Sequence, residues 1–172
     1  VNKSGFGDCM GLSNYMLAML KELGIKSYYT EISTRNSRLL KDFASVNQTN
    51  HVILQVPLPN DTLWLECTNP QLPFGYVHRG IAGHDGLLIK ENGGEICRLP
   101  AYPDSLNTQV MEAEISLDAN GRATIKAQHT SRLYQYESTY YIKQLEPNKQ
   151  KDFLRSDIQL ANASRSNITI HE

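Results

Sequence analysis

His51-Val52-Ile53-Leu54-Gln55-Val56-Pro57 and Thr62-Leu63-Trp64-Leu65-Glu66-Cys67-Thr68 flank the short insert Leu58-Pro59-Asn60-Asp61. Both runs are rich in β-branched, aromatic and aliphatic residues, and the insert has the Pro/Asn/Asp chemistry of a turn, so the stretch predicts an antiparallel hairpin. With Leu58-Pro59 as the turn, His51 falls directly opposite Glu66; with all four insert residues as the loop, His51 lies diagonal to it. Side chains alternate between faces, so either register puts the imidazole and the carboxylate on one face. A carboxylate in that position fixes the imidazole tautomer, stabilises the imidazolium and leaves the second ring nitrogen for another partner. The plainer alternative is a structural or surface pair, which strands often carry.

Upstream, Leu12, Tyr15, Met16, Met19, Leu20 and Leu23 recur at three- and four-residue steps, the spacing of an amphipathic helix. Asp8 suits its N-cap and Gly24 its C′ position, which makes Cys9 the first helical residue. A thiol there is favoured as a thiolate, because the first backbone N–H groups lack intrahelical partners and the helix dipole supports negative charge. The same N–H groups can hold a developing oxyanion, and Gly5 and Gly7 around Phe6 allow close backbone approach. Against this stands a packing role, since Cys9 shares a helical face with Leu12 and Met16. Residues 25–32 read as a strand; 34–50 are irregular, with a helical turn expected at Leu39–Phe43.

Downstream, residues 70–85 read as a long loop, and 86–90 with 95–99 as a pairing around Asn92-Gly93-Gly94. Pro100–Asn107 marks a linker. Beyond it Met111, Ala113, Ile115 and Leu117, then Ala123, Ile125 and Ala127, alternate on either side of Asn120-Gly121, a hairpin signal. Residues 133–145 and 148–161 are expected to be helices and Asn167–Ile170 a last strand. The predicted class is α+β, with a core over 1–100 and a partial accessory region over 101–172.

The chain has 172 residues and a net charge of −1, so no basic footprint points to nucleic acid. No apolar run approaches the roughly 20 residues of a spanning helix. Three cysteines, Cys9, Cys67 and Cys97, without a C-x-x-C pair argue against a disulfide framework. Cys67 alternates away from Glu66 and reads as a core thiol. His78, His84 and Cys97 fit no zinc spacing, so no metal site is expected. His129 and His171 read as surface residues, and Tyr134, Tyr136, Tyr140 and Tyr141 as packing aromatics. Sequons at Asn47, Asn60, Asn162 and Asn167 matter only in a eukaryotic secretory setting.

Gly7-Asp8-Cys9 opening a helix, Leu20-Lys21-Glu22-Leu23-Gly24-Ile25 closing it, Asn50-His51-Val52-Ile53, and Trp64-Leu65-Glu66-Cys67-Thr68 resemble the bacterial transglutaminase-like superfamily. The resemblance covers about residues 5–68 in order and spacing. It implies a papain-like/transglutaminase-like fold in which a nucleophile helix packs on an antiparallel sheet. It also implies that Cys9 forms a thioester with an acyl substrate, that His51 is general base and then acid, and that Glu66 stands where the family carries Asp. Trp64 would shield the site or line a substrate-binding channel, with core packing as its plainer role. A protein or peptide amide is the implied substrate, with no cofactor. By the same resemblance, helices of an upstream part of the same protein are missing here, and a periplasmic, secreted or cell-envelope location is expected. The rival expectation is a catalytically silent scaffold or binding module.

Overall fold

Asp8 starts the first helix, α1 (Cys9–Glu22): its Oδ1 accepts the Gly11 N–H at 2.7 Å, which satisfies one of the donors the first turn leaves open. The helix closes as the caps predict. Gly24 adopts φ +69° and donates to the Lys21 carbonyl, and Ile25 donates to Leu20, a Schellman arrangement. Because Ile25 is spent on that closure, the strand expected from residue 25 begins only at Tyr28. In this computed structural model residues 1–157, Ser164 and 168–170 are described. The chain divides into two units, Val1–Pro103 and Asp104–Glu172.

In the first unit, β1 (Tyr28–Ile32), β2 (His51–Pro57), β3 (Thr62–Leu65), β4 (Asp85–Lys90) and β5 (Gly93–Arg98) form one sheet in the order β3-β2-β1-β4-β5, antiparallel throughout. An N-terminal helix on an antiparallel sheet is thus the α+β arrangement expected from the sequence. Leu54 pairs with Leu65 and Pro57 with Thr62, so all four residues Leu58–Asp61 form the loop and the diagonal register is the one adopted. The β4–β5 turn is Glu91-Asn92, with Gly93 already paired to Lys90. Residues 39–43 form a single turn at Lys41–Asp42 and no helix; Leu40 donates to the Gln48 side chain, and a 3-10 turn follows at Val46–Gln48.

The two sheet faces bury different partners. Leu54, Val56 and Leu65 meet Met16, Leu17 and Leu20 of α1. Ile32, Ile53 and Trp64 meet Val77, Ile81 and Leu99, supplied by the loop after β3 and the end of β5. The helical face differs from the predicted stripe, since Tyr15, Met19 and Leu23 are exposed. Ser13 is the one residue of α1 that is fully buried; its small size allows this, and its hydroxyl is satisfied, donating to the Val52 carbonyl at 3.3 Å. Gly86 is required by packing: a Cβ there would meet Thr30 Cγ2 at 2.9 Å and Leu99 Cδ1 at 3.0 Å.

The second unit holds the hairpin β6 (Gln109–Leu117) and β7 (Ala123–Ser131), turned at Gly121 with φ +77°. The helix expected over 133–145 is instead two 3-10 segments, Leu133–Ser138 and Tyr140–Gln144. Thr139 interrupts them with φ −128°, its hydroxyl bonded back to the Tyr136 carbonyl, in a run of aromatic and β-branched residues with poor helix propensity. The last helix, α2 (Pro147–Asp157), starts with proline at its first position. Its expected continuation to residue 161 lies outside the described residues, as do Asn167 and His171. Residues 168–170 form no strand.

Candidate active site

Glu66 follows the last residue of β3, and its carboxylate explains why the strand stops there. Oε1 accepts the Thr68 N–H at 2.8 Å and also the Thr68 hydroxyl, which folds the chain away from the ladder. Oε2 meets His51 Nε2 at 2.7 Å. The imidazole and carboxylate that the hairpin register places on one face are therefore in direct contact. Both are largely withdrawn from water, at 14% and 6% side-chain exposure. Burial pushes the Glu66 carboxyl up, but hydrogen bonds from His51, His78 and Thr68 outweigh it and hold the group well below the usual carboxylate range. With an ionised acceptor on Nε2, neutral His51 carries its proton there and presents a lone pair at Nδ1. Among the described residues Nδ1 has no hydrogen-bond partner.

Sequence reasoning missed the third member of this cluster. His78 Nε2 stands 3.5 Å from the same Glu66 oxygen, and the two rings meet edge-to-face with centroids 6.4 Å apart. Its loop position carries no periodic signal. The nearest clue was its neighbours Val77 and Ile81, whose spacing suits one buried turn. The three heteroatoms lie within 4.8 Å of one another, a set of metal-ligand types. The hydrogen bonding fits an ion poorly. His78 Nδ1 accepts the Gly80 N–H at 3.2 Å, so the ring proton sits on Nε2, where a metal would need a lone pair.

Cys9 occupies the first turn of α1, partly exposed. Ser13 touches Val52, and Met16, Leu17 and Leu20 pack toward Leu54 and Val56, so α1 runs alongside β2 in the same sense. One turn before Ser13, about 6 Å back along the axis, Cys9 falls at the end of β2 that begins with His51. The body of α1 lies on the Leu54 face, whereas His51 alternates with Ile53 to the other, so the ring and the body of the helix stand on opposite faces of the sheet. Among the described residues no hydrogen bond joins Cys9 to His51, and the Cys9 N–H has no acceptor. Burial, and after it the nearby Glu31 and Asp8 carboxylates, push the Tyr29 phenol up.

Trp64 is 5% exposed and packs in the core cluster beneath the site. A cavity of about 270 Å³ opens beside Glu66, walled by Leu65, Leu72, Pro73 and Phe74. Trp64 is not among its walls. His84 bonds the Ser33 carbonyl through Nδ1 at 2.7 Å, and Cys97 donates to the Gly86 carbonyl. Burial pushes the Cys67 and Cys97 thiols up. No helix among the described residues is long and apolar enough to cross a membrane. Compared with family models, curated proteins and solved structures, the chain matches none.

Proposed function

We propose that the first unit is a thiol acyl-transfer domain of transglutaminase-like type, in which Cys9, His51 and Glu66 act on a protein or peptide amide. The observation that carries this reading is the 2.7 Å contact between Glu66 and His51 Nε2, which leaves Nδ1 as the ring's basic nitrogen at the end of β2 nearest the start of α1. In the proposed reaction His51 Nδ1 takes the Cys9 thiol proton and the sulfur attacks the amide carbonyl. The tetrahedral oxyanion is met by the Cys9 N–H, unpaired at the helix start. Collapse breaks the C–N bond, and the amine leaves with the proton from His51. Water or a second amine, deprotonated by the same ring, then resolves the thioester. The cavity beside Glu66, lined by Asn69 and Glu66 as well as Leu72, Pro73 and Phe74, suits a substrate chain with both polar and apolar groups. Glu66 holds the ring and balances the imidazolium; its longer arm, relative to aspartate, is accommodated by the Thr68 contacts that bend it toward His51.

A second reading has an observation of its own: the Cys9 thiol makes no hydrogen bond to the ring, as befits a scaffold that keeps the fold without the chemistry. Alkylation by iodoacetamide at neutral pH separates the two. The enzyme reading expects Cys9 to react about tenfold or more faster than a model thiol, and His51→Ala to abolish the advantage. Reaction at the model rate, unchanged by His51→Ala, leaves the scaffold.

A further inference from the structure

We infer that His78 is a positioning residue, whose Nε2–H holds the Glu66 carboxylate in the orientation that fixes the His51 tautomer. The inference deepens the acyl-transfer reading and rests on it for its functional consequence, though not for its geometry.

The tautomer of His78 is dictated locally. The Gly80 N–H points at Nδ1 from 3.2 Å, so that nitrogen is an acceptor and the neutral ring carries its proton on Nε2. Nε2 faces Glu66 Oε2 at 3.5 Å. The ring itself has little freedom. Ile81 and Ala82 both donate to the His78 carbonyl, at 3.1 and 3.0 Å, and the flanking Val77 and Ile81 are core residues at 2% and 1% exposure. The backbone crosses directly over the imidazole: a Cβ on Gly80 would lie 3.1 Å from both Cε1 and Nδ1. A histidine anchored this way differs from one on a free surface loop.

Glutamate has one more rotatable bond than aspartate, and an acceptor with two oxygens can swing to other partners unless each is occupied. Thr68 occupies Oε1; His51 and His78 converge on Oε2. At 3.5 Å the His78 contact is long, so its effect is restraint on the carboxylate more than strength of a single bond. Without it, Oε2 is held only by the ring it is meant to orient. His51 then loses its fixed acceptor and distributes its proton between Nε2 and Nδ1. Every Nδ1–H ring is unable to take the Cys9 proton.

The test uses the full chain with 15N-labelled histidine. Nitrogen shifts of His51 report its tautomer, and Cys9 alkylation reports the consequence. Wild type is expected to hold His51 as Nε2–H. His78→Phe, which keeps a ring but has no N–H, is expected to give a mixture of tautomers and to slow Cys9 alkylation about two- to fivefold, in proportion to the Nδ1–H fraction. His78→Gln, whose amide can donate to Glu66, is expected to restore the tautomer and most of the rate. A role in packing alone predicts the reverse pattern, with lower thermal stability in both variants and an unchanged His51 tautomer, and that result overturns the inference. If Cys9 is slow in wild type, the acyl-transfer reading fails, and the tautomer comparison still decides the role of His78.

Discussion

The two hairpins of this chain share a backbone plan and have opposite surroundings. β2–β3 has Ile53, Leu54, Val56, Trp64 and Leu65 buried, on two faces with two different sets of neighbours. β6–β7 is longer, nine residues in each strand, yet every position of β6 is exposed. β-rich composition predicts the first pair as strands and alternation the second, and both are strands. Alternation does not say whether an apolar face finds a partner, and that is what lets β2–β3 hold an ionised carboxylate against an imidazole at its end.

The sharpest way to break this contrast is to cut a methylene cluster from each hairpin. Leu54→Ala removes a fully buried side chain and is expected to cost about 2–5 kcal/mol. Ile115→Ala, on an exposed position of β6, is expected to stay within about 0.5 kcal/mol. Urea unfolding measures both, followed by fluorescence of Trp64, the sole tryptophan, for the first unit and by far-UV circular dichroism for the second. Equal costs would show that the hairpins are not energetically distinct.

Next in size is Asp85 at the start of β4, 7% exposed. Its carboxylate accepts from Arg98 at 3.0 Å, from the Leu39 N–H at 3.1 Å and from Arg38 at 3.3 Å. Burial pushes its pKa up, and these partners together hold it below the ordinary value. A carboxyl depressed in the folded state stabilises above its unfolded pKa and loses that stabilisation as pH falls through the folded one. Asp85→Asn is therefore expected to destabilise by about 1–3 kcal/mol near pH 7. The difference from wild type should narrow as pH falls below about 4; a gap that has not narrowed at all by pH 2 would show that the charge is not the cause. Smaller again is Ser13→Ala, which leaves the Val52 carbonyl without its hydroxyl donor and is expected to cost about 1 kcal/mol by the same unfolding assay.

What was legible in the sequence was local. Asp8 and Gly24 mark the ends of α1 because capping needs only neighbouring residues, and the hairpin insert limits His51 and Glu66 to one face in either register. What was not legible came from satisfied polar groups and from loops. Ser13 reads as a polar interruption and is instead the fully buried residue of α1, because the Val52 carbonyl accepts the hydrogen bond of its hydroxyl. His78 joins the site through a loop whose placement depends on Val77 and Ile81 entering a core twelve or more residues away. Residues 133–145 read as one helix because their apolar spacing is helical, while Thr139 and the tyrosines favour shorter 3-10 turns.

The chain contains its own controls for its proposed chemistry, since burial pushes the thiols of Cys67 and Cys97 up and disfavours their thiolates. Incubation with an activated acetyl ester, followed by peptide mass spectrometry, asks which of the three sulfurs becomes acylated. Selective acetylation of Cys9, slowed about 100-fold or more by His51→Ala, is the predicted result. Acetylation spread across the three cysteines, indifferent to that substitution, would contradict it.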